Sequence, residues 1–406
     1  MIRGRIRRWA AWASSAIIAL VLVTGCERAP EATAIAFVGA TGSAQPRVTQ
    51  GPDGGLVLSW LEPAGRERVL KFSRYDAGAF GAPTEVARSE QMFVNWADFP
   101  SVTPITESLW FAHWLERREG SAAYDIATVT SRDGGVSWTA SEQMNEDDAV
   151  AEHGFVSVFS WDEQISAFWL DGRELANWSF DNPDALLGTS LRLARYGPDG
   201  AAMSREIVDD MVCDCCQPDV AMTREGPIVA YRDRTAEEIR DVVVRRWLDG
   251  GWAPPLNLGK EGWFIEGCPV NGPALAARGA DVAAVWFTAA ENRPRVRFAR
   301  SADAGSSFPV VVDVDTNGAY GQPGIVLDDD GRAVLSWWRR AEAGGIELMA
   351  RAYDRDGSPG REIVVARESV GQPIDVPQLA AFDGAYLVAW TTFDADGSVR
   401  LARLDL

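Results

Sequence analysis

The segment Leu56-Val57-Leu58-Ser59-Trp60 identifies the fold, because an apolar run that ends in a large aromatic residue recurs along the whole chain. The later aromatic residues in this position are Trp114, Trp169, Tyr231, Trp286, Trp337 and Trp390. A proline precedes most of them by 13 or 14 residues, at Pro46, Pro100, Pro218, Pro273, Pro323 and Pro377, and Val156 takes that place in the third unit. The prolines recur about every 55 residues, which indicates seven copies of one structural unit.

Each unit has the residues of four short strands. A polar loop follows the aromatic residue, then comes a third strand such as residues 69–74, a turn that contains glycine and a weaker fourth strand. Units of four antiparallel strands at this spacing are typical of β-propeller blades. The seventh unit stops at Leu406 after three strands, so residues 33–39 are predicted to supply its outer strand. We therefore predict an all-β propeller of seven blades, with six as the alternative, closed between its N- and C-terminal strands.

The composition fits this fold and excludes some functions. The 406 residues are 47% hydrophobic and 24% charged, which excludes a globally disordered chain. The 38 glycines and 17 tryptophans are typical of many turns between short strands. With 58 acidic and 39 basic residues, the formal charge is −19. Because an acidic surface repels phosphate groups, we expect no nucleic-acid partner.

The N-terminal residues have the features of an export signal. Residues 1–8 are basic and residues 9–23 are apolar, a run too short to span a membrane comfortably. Val23-Thr24-Gly25-Cys26 resembles a bacterial lipoprotein box, in which the cysteine becomes the lipidated first residue; an ordinary signal peptide is the alternative. The resemblance implies a signal peptide at 1–25, a lipidated Cys26 with a tether at 26–32, and a propeller at 33–406. Glu27 replaces the aspartate of the inner-membrane retention signal, so we expect a lipoprotein on the periplasmic side of the outer membrane.

Two turns carry a recognisable motif. Residues 131–138 (SRDGGVSW) and 301–308 (SADAGSSF) place an aspartate and a glycine in a tight hairpin ahead of an aromatic residue. These segments resemble the Asp-box, or BNR repeat, of sialidase-like β-propellers. The resemblance implies the fold, and it allows glycoside hydrolysis by a tyrosine nucleophile with acidic partners. Residues 44–48 (AQPRV) do not match the Arg-Ile-Pro motif of these enzymes, and they have six blades, so no catalytic residue is carried over.

Three unusual segments are predicted to meet at one mouth of the central channel. Connections between blades and loops between second and third strands share one end of the ring, opposite the Asp-box turns. The segments at that end are residues 213–218 (CDCCQP), 231–241 (YRDRTAEEIRD) and 263–272 (WFIEGCPVNG). Because guanidinium groups bind carboxylate, sulfate or phosphate, the predicted ligand-binding residues are Arg232, Asp233, Arg240, Asp241 and Asn271. A self-paired, solvated loop is the alternative.

The cysteines other than Cys26 all lie in these segments, at Cys213, Cys215, Cys216 and Cys268. Four cysteines in an exported chain favour disulfides, and a bond from the 213–216 cluster to Cys268 would join blades four and five. Three pairings are possible, and the sequence does not choose among them. A thiolate site for copper or zinc and a redox-active pair are the alternatives, although the flanking residues give no sign of a lowered thiol pKa. We otherwise expect no cofactor.

These features predict a lipid-anchored propeller that binds a small or glycan-like, anionic ligand at the cysteine-bearing mouth. The alternatives are an exo-glycosidase of sialidase type acting on acidic sugars, a copper or zinc site, and a structural scaffold of the envelope. A glycosidase needs two carboxyl groups at a suitable separation. The candidates at the mouth are Asp98, Glu152, Asp214, Asp233, Glu238, Glu266 and Asp375. We expect a monomer that meets the membrane only through its lipid.

Overall fold

The computed structural model of the chain describes Met1 and residues 31–176, 188–369, 375–392 and 397–406. Apart from Met1, the predicted signal peptide at 1–25 lies outside these residues, and so does Cys26. The predicted start of the propeller at residue 33 falls inside the first strand, which begins at Glu31. In the described ranges, no helix is long and apolar enough to cross a membrane.

Almost all described elements are β-strands. Apart from a short helix α1 (Arg173–Ala176) and a 3-10 turn (Ala290–Asn292), the regular elements of the described residues are strands. They are β1 (Glu31–Ile35), β2 (Ala44–Gln50), β3 (Leu56–Ala64), β4 (Glu67–Asp76), β5 (Ala79–Phe80), β6 (Thr84–Ser89), β7 (Ser101–Pro104), β8 (Trp110–Arg117), β9 (Tyr124–Ser131), β10 (Glu142–Gln143), β11 (His153–Trp161), β12 (Gln164–Asp171), β13 (Thr189–Tyr196), β14 (Ala202–Val212), β15 (Asp219–Thr223), β16 (Gly226–Arg232), β17 (Val242–Leu248), β18 (Gly251–Trp252), β19 (Leu256–Asn257), β20 (Ala274–Arg278), β21 (Asp281–Thr288), β22 (Arg295–Ser301), β23 (Val310–Asp315), β24 (Ala319–Leu327), β25 (Ala333–Arg340), β26 (Ile346–Tyr353), β27 (Ile363–Glu368), β28 (Gln378–Phe382), β29 (Ala385–Thr391) and β30 (Val399–Asp405).

These strands form seven antiparallel sheets, one for each repeat. Blade one is β2-β3-β4 with β5 and β6 on its outer side, and blade two is β7 to β10. Blade three is β11 to β14, and blade four is β15-β16-β17 with the short β18 and β19 both paired to β17. Blades five and six are β20 to β23 and β24 to β27, and blade seven is β28-β29-β30 with β1. The prediction of seven blades is confirmed.

The ring closes between the two ends of the chain. Strand β1 pairs antiparallel with β30, from Glu31 opposite Asp405 to Ile35 opposite Leu401. The predicted strand at 33–39 therefore lies two to four residues too late. The reason is that Phe37 leaves the sheet to pack edge-on against Trp60, with ring centroids 5.1 Å apart.

The repeated aromatic residues lie between the blades, and each has a polar partner. Trp60 is buried with Leu387 and Leu401 of blade seven. Every repeat aromatic donates a hydrogen bond from its ring nitrogen or hydroxyl to an acidic side chain, because a buried indole N–H without an acceptor would cost free energy. The pairs are Trp60–Glu62, Trp114–Glu116, Trp169–Asp171, Tyr231–Asp209, Trp286–Glu261, Trp337–Asp315 and Trp390–Glu368.

The two Asp-boxes are structural turns, as predicted. The box at 131–138 joins β9 to β10, and Asp133 accepts hydrogen bonds from the backbone N–H groups of Val136 and Ser137 at 3.1 and 2.9 Å. In the box at 301–308, which joins β22 to β23, Asp303 accepts the N–H of Ser307 at 2.9 Å. Both turns join third to fourth strands, so they lie at the end of the ring opposite the cysteine segments.

Candidate functional site

The three unusual segments meet at one mouth of the channel, as the loop order predicted. Residues 213–218 follow β14, residues 233–241 join β16 to β17, and the segment 258–273 joins blade four to blade five. Isolated bridges pair Val212 with Asp233 and Ile239 with Phe264. A disulfide between Cys215 and Cys268 links the first segment to the third, with their Cα atoms 6.1 Å apart.

Arg232 connects these segments from inside the protein. Its side chain is fully buried, and it lies over the ring of Trp263, 4.9 Å from the centroid. The guanidinium group donates to three backbone carbonyl oxygens: Asn271 O at 2.8 Å, Phe287 O at 2.7 Å and Arg240 O at 2.8 Å. Together with the hydrogen bond that the Cys213 N–H donates to Arg232 O at 3.0 Å, these bonds join the three segments, and they leave little capacity for a ligand.

Arg240 and Arg234 belong to a paired charge cluster at the surface of the mouth. Arg240 donates to Glu238 at 2.9 Å and to Asp214 at 3.4 Å. Arg234 donates to Glu238 at 2.6 Å and to Asp214 at 3.3 Å. Hydrogen bonds from both guanidinium groups lower the pKa of Glu238, although partial burial opposes this. Two positive and two negative groups thus compensate one another.

Asp241 and Asn271 hold the backbone of the neighbouring loops. Asp241 accepts the N–H groups of Gly262 and Trp263, both at 2.9 Å. Asn271 donates to Tyr320 O at 3.1 Å and accepts the N–H of Gln322 at 2.6 Å.

Asp233 lies beside them, where burial and the nearby charge of Asp209 raise its pKa to about 6. All five predicted ligand-binding residues therefore come together. Most of their polar atoms are directed at the protein itself, and their role in binding a ligand stays a prediction.

The four cysteines have separate roles in the structure. Cys215 and Cys268 form a disulfide, which is the predicted bond from the 213–216 cluster to Cys268. Cys213 and Cys216 are buried and unbonded, with their Sγ atoms 2.8 Å apart. The sulfur atoms of residues 213, 215 and 216 lie within 4.8 Å of one another. Since Cys215 is in the disulfide, two thiols remain, fewer than the three or four protein ligands of an ordinary zinc site.

A pocket opens on the same face, between blades two, three and four. Its volume is about 250 Å³, and its wall includes Tyr124, Glu152, Leu170, Thr189 and Asp214. Glu152 is exposed and Asp214 is half-buried, so both carboxyl groups border the opening. Apolar side chains and a few polar groups converge here, as in small-molecule sites.

Asp98 lies directly behind this pocket. It is almost fully buried, and among the described residues neither carboxyl oxygen has a hydrogen-bond partner. It touches Gly154 of the pocket wall so closely that a side chain at residue 154 would collide with it. Burial, together with the charge of Glu152, raises the pKa of Asp98 to about 8. Burial and the charges of Asp98 and Glu152 also raise the pKa of Tyr124.

Another predicted candidate, Asp375, is internal. It is buried and accepts the N–H of Thr391, and burial raises its pKa to about 7. His153, the residue after Glu152, is buried beside Asp147 and Asp171, with Nε2 3.3 and 3.6 Å from their carboxyl oxygens.

Sequence reasoning missed the pocket wall residue Tyr124 and the channel residue Arg47. Arg47, on the inner strand of blade one, donates to Gln378 of the neighbouring blade seven at 2.7 Å, and its charge interacts with that of Asp219 on the inner strand of blade four. The sequence contains a sign of Arg47, because it places a charged residue directly after the repeat proline Pro46 of an inner strand. Tyr124 had none, because it is one aromatic residue among many.

Comparison with known proteins supports the fold. No protein-family model matches the chain, and no curated protein matches its sequence. Among solved structures, a polysaccharide lyase of family PL25, an ulvan lyase bound to -[GlcA(1-4)Rha3S]-, aligns with a TM-score of 0.54 at 12% identity, over 91% of this chain and 95% of that chain. The Hadza microbial sialidase Hz136 aligns with a TM-score of 0.45 at 13% identity, over 73% of this chain and 63% of that chain. A neuraminidase-like protein from A/bat/Guatemala/164/2009 aligns with a TM-score of 0.47 at 9% identity, over 92% and 93%.

At these identities the likenesses concern the fold alone. The chain has a seven-bladed β-propeller fold, as the repeated strand pattern predicted. Function has to be argued from the residues at the mouth.

Proposed function

We propose that the chain is a carbohydrate-binding propeller that holds the end of a glycan in the pocket between Tyr124, Glu152 and Asp214. The observation that carries this proposal is the pocket itself, a concave site of about 250 Å³ on the mouth face with two carboxyl groups at its border. Sugar hydroxyl groups donate hydrogen bonds, and carboxyl oxygens accept them. A pocket of this size suits one sugar unit, with the rest of the glycan outside.

Exposed aromatic side chains on the same face support a glycan ligand. Trp96 is 41% exposed and Phe264 is 59% exposed, although large apolar side chains are usually covered. The flat face of an aromatic ring packs well against the C–H face of a sugar ring, while the hydroxyl groups at the sugar edge stay solvated. These two rings offer contacts for sugar units beyond the pocket.

The proposal covers both neutral and anionic glycans. The sequence predicts an anionic ligand because of its arginines. In the structure Arg232 is bound to carbonyl oxygens, and Arg234 and Arg240 are paired with Asp214 and Glu238. A neutral, hydroxyl-rich sugar therefore fits the pocket at least as well as an acidic one, and the test includes both.

Glycoside hydrolysis is the second candidate, and the pair Asp98 and Glu152 favours it. A glycosidase needs one carboxyl group that keeps its proton and a second one that acts as base or nucleophile. Asp98 has a pKa raised to about 8, so it is protonated at neutral pH. Glu152, whose negative charge contributes to that shift, lies on the pocket wall, and Tyr124 lies beside both.

The test combines binding and turnover. Calorimetry with oligosaccharides that end in a neutral hexose, a hexuronate or a sialic acid measures binding, and the matching aryl glycosides measure hydrolysis. We expect Glu152→Gln to weaken binding at least tenfold, about 1.4 kcal/mol. The matched control is Glu163→Gln, an exposed carboxylate on the β11–β12 hairpin at the opposite end of the same blade. Absence of binding by every sugar, or equal loss in both variants, would contradict the proposal.

Turnover decides between the two candidates. If the chain is an enzyme, Asp98→Asn should reduce aryl glycoside hydrolysis at least a hundredfold while sugar binding persists. If wild-type protein binds sugars and releases no aryl group, the chain is a binding module.

We further infer that the propeller is exported and attached to the membrane through Cys26. The support is the basic and apolar sequence of residues 1–26. Radiolabelled fatty acid should be incorporated into the wild-type chain and not into Cys26→Ser. Equal labelling of both would contradict the anchor.

A further inference from the structure

Cys213 and Cys216 form a C-x-x-C pair that the carbohydrate site does not use. Their Sγ atoms are 2.8 Å apart, although both residues are almost completely buried. Two unbonded sulfur atoms normally lie further apart, and a closure of less than 1 Å would bring them to the length of a disulfide, about 2.05 Å. Among the described residues, Cys215 and Cys268 are already paired with each other, so Cys213 and Cys216 are the two cysteines that remain as thiols.

We propose that Cys213 and Cys216 are a site of reversible oxidation by a small hydroperoxide, in which Cys213 is the thiolate that reacts first and Cys216 is the thiol that closes the disulfide. Burial determines the class of oxidant, because a reactant must be small to reach sulfur atoms that a folded protein partner cannot contact.

The first argument is the positive charge around Cys213. Arg240 Nη1 lies 3.5 Å from the Cys213 sulfur and donates a hydrogen bond to it. Arg232 is buried beside the pair, and the hydrogen bonds that its guanidinium group donates in the described part of the chain go to backbone carbonyl oxygens and not to a carboxylate. A buried guanidinium group needs a nearby negative charge, since removing an isolated charge from water is costly. A thiolate at Cys213 supplies that charge.

The second argument is the difference between the two sulfur atoms. Burial acts to raise the pKa of Cys213, but the hydrogen bond from Cys216 and the charges of Arg232 and Arg240 outweigh burial and lower it. Burial and the adjacent Cys213 sulfur raise the pKa of Cys216 well above its ordinary value. The pair therefore holds one thiolate and one thiol, the division of roles that the two-step oxidation requires.

The reaction balances in two steps. The Cys213 thiolate attacks the terminal oxygen of the hydroperoxide, the O–O bond breaks, and the other oxygen leaves as an alkoxide, which takes up from water the equivalent of the proton that Cys213 released on becoming a thiolate. Cys213 is then a sulfenic acid. The Cys216 thiol attacks that sulfur, the S–S bond forms, and the hydroxyl group leaves with the thiol proton as water. Two thiols lose two electrons, and the hydroperoxide becomes one alcohol and one water. A small dithiol can reverse the change.

The test uses the full chain with Cys26→Ser, so that only the four propeller cysteines are counted. The protein is treated with a mild dithiol, separated from it, and mixed with one equivalent of hydrogen peroxide. We expect the intact mass to fall by two hydrogens, uptake of a thiol label to drop by two, and peptide mapping to give a Cys213–Cys216 link. In Cys216→Ser we expect a sulfenic acid at Cys213 that dimedone traps.

A matched pair of arginine variants tests the role of charge. Arg234 shares the partners Asp214 and Glu238 with Arg240, but Arg240 is the one that donates to Cys213. We expect Arg240→Gln to slow peroxide oxidation at least tenfold and Arg234→Gln to change it less than twofold. Equal slowing by both variants would overturn the proposal.

A wild-type measurement covers the case in which Arg240→Gln does not fold. The rate of oxidation should already be level between pH 7 and 9, whereas an ordinary thiol reacts faster with each pH unit in that range. A rate that rises tenfold across this range, no oxidation by peroxide, or a link from Cys213 to another cysteine would each overturn the proposal.

Discussion

The buried carboxyl group of Asp98, behind the mouth pocket, makes the stability of the folded protein depend on pH. Its pKa is raised from 3.8 to about 8 by burial and by the charge of Glu152. Between about pH 4 and pH 8 the folded protein keeps a proton that the unfolded chain releases. The contribution of Asp98 to stability is therefore greatest below pH 4 and is lost as the pH rises to 8.

We predict that Asp98→Asn removes this pH dependence. The loss in the wild-type protein is at most about 1.4 kcal/mol per pH unit, because one group titrates. The stability of the variant relative to wild type should therefore rise steadily from pH 5 to pH 8, as measured by urea unfolding. Asp162→Asn, in an exposed hairpin, is the control and should keep the wild-type slope. If the stability of Asp98→Asn and that of wild type changed equally with pH, the pKa of Asp98 would not be raised and the prediction would be wrong.

The side-chain environments of single residues were the part of the site that the sequence could not supply. The sequence placed Arg232, Arg240 and Asn271 at one mouth, and the structure brings them together. It could not show that Arg232 is fully buried, because its carbonyl partners at Asn271 and Phe287 are 39 and 55 residues away. Likewise, residues next to Cys213 in sequence gave no sign of a lowered pKa, since the guanidinium groups come from residues 232 and 240.

At the scale of elements, the disulfide Cys215–Cys268 joins the connection that enters blade four to the connection that leaves it. The two cysteines are separated by 53 residues, so the bond restricts a long loop in the unfolded chain. It also links the segment that contains Asp214, a residue of the pocket wall, to the third segment of the mouth.

We predict that replacing both cysteines, Cys215→Ala with Cys268→Ala, lowers the free energy of unfolding by roughly 2–4 kcal/mol. Urea unfolding of the double variant against wild type measures this loss. Wild-type protein treated with a strong dithiol is the control and should show a similar loss. A change below about 0.5 kcal/mol in both would mean that Arg232 and its carbonyl partners hold the segments without the bond.

Strand order was the most predictable feature of the elements. The spacing of the aromatic residues from Trp60 to Trp390 gave seven blades, and the Asp-boxes gave two of the turns between third and fourth strands. The exact end of β1 was not predictable, because residues 33–39 are all compatible with a strand. The packing of Phe37 on Trp60 ends it at Ile35, and that contact forms only after the ring closes.

At the scale of the whole molecule, part of the acidic composition has a structural use. Seven repeat aromatics donate hydrogen bonds to seven Asp or Glu side chains. In blades one to three the acceptor is two residues after the tryptophan, as in Trp60 and Glu62. In blades four to seven it precedes the blade, as in Trp337 and Asp315. Part of the formal charge of −19 therefore comes from acidic residues that accept these repeated hydrogen bonds. In blades one to three, the spacing of two residues between the tryptophan and its acceptor is visible in the sequence.

Ring closure is the last property of the whole molecule, and it depends on five residues of β1. Glu31 to Ile35 pair with Asp405 to Leu401, while Ala32 and Ile35 pack on the apolar clusters at either side of blade seven. We predict that a chain starting at residue 37 loses roughly 3–5 kcal/mol of stability compared with one starting at residue 31, because the backbone hydrogen bonds of one strand are removed. It should also associate, since β30 becomes an open edge strand. Thermal unfolding measures the loss of stability, and light scattering after gel filtration measures the association. If the two chains have equal melting temperatures and both are monomeric, the ring is stable without this strand.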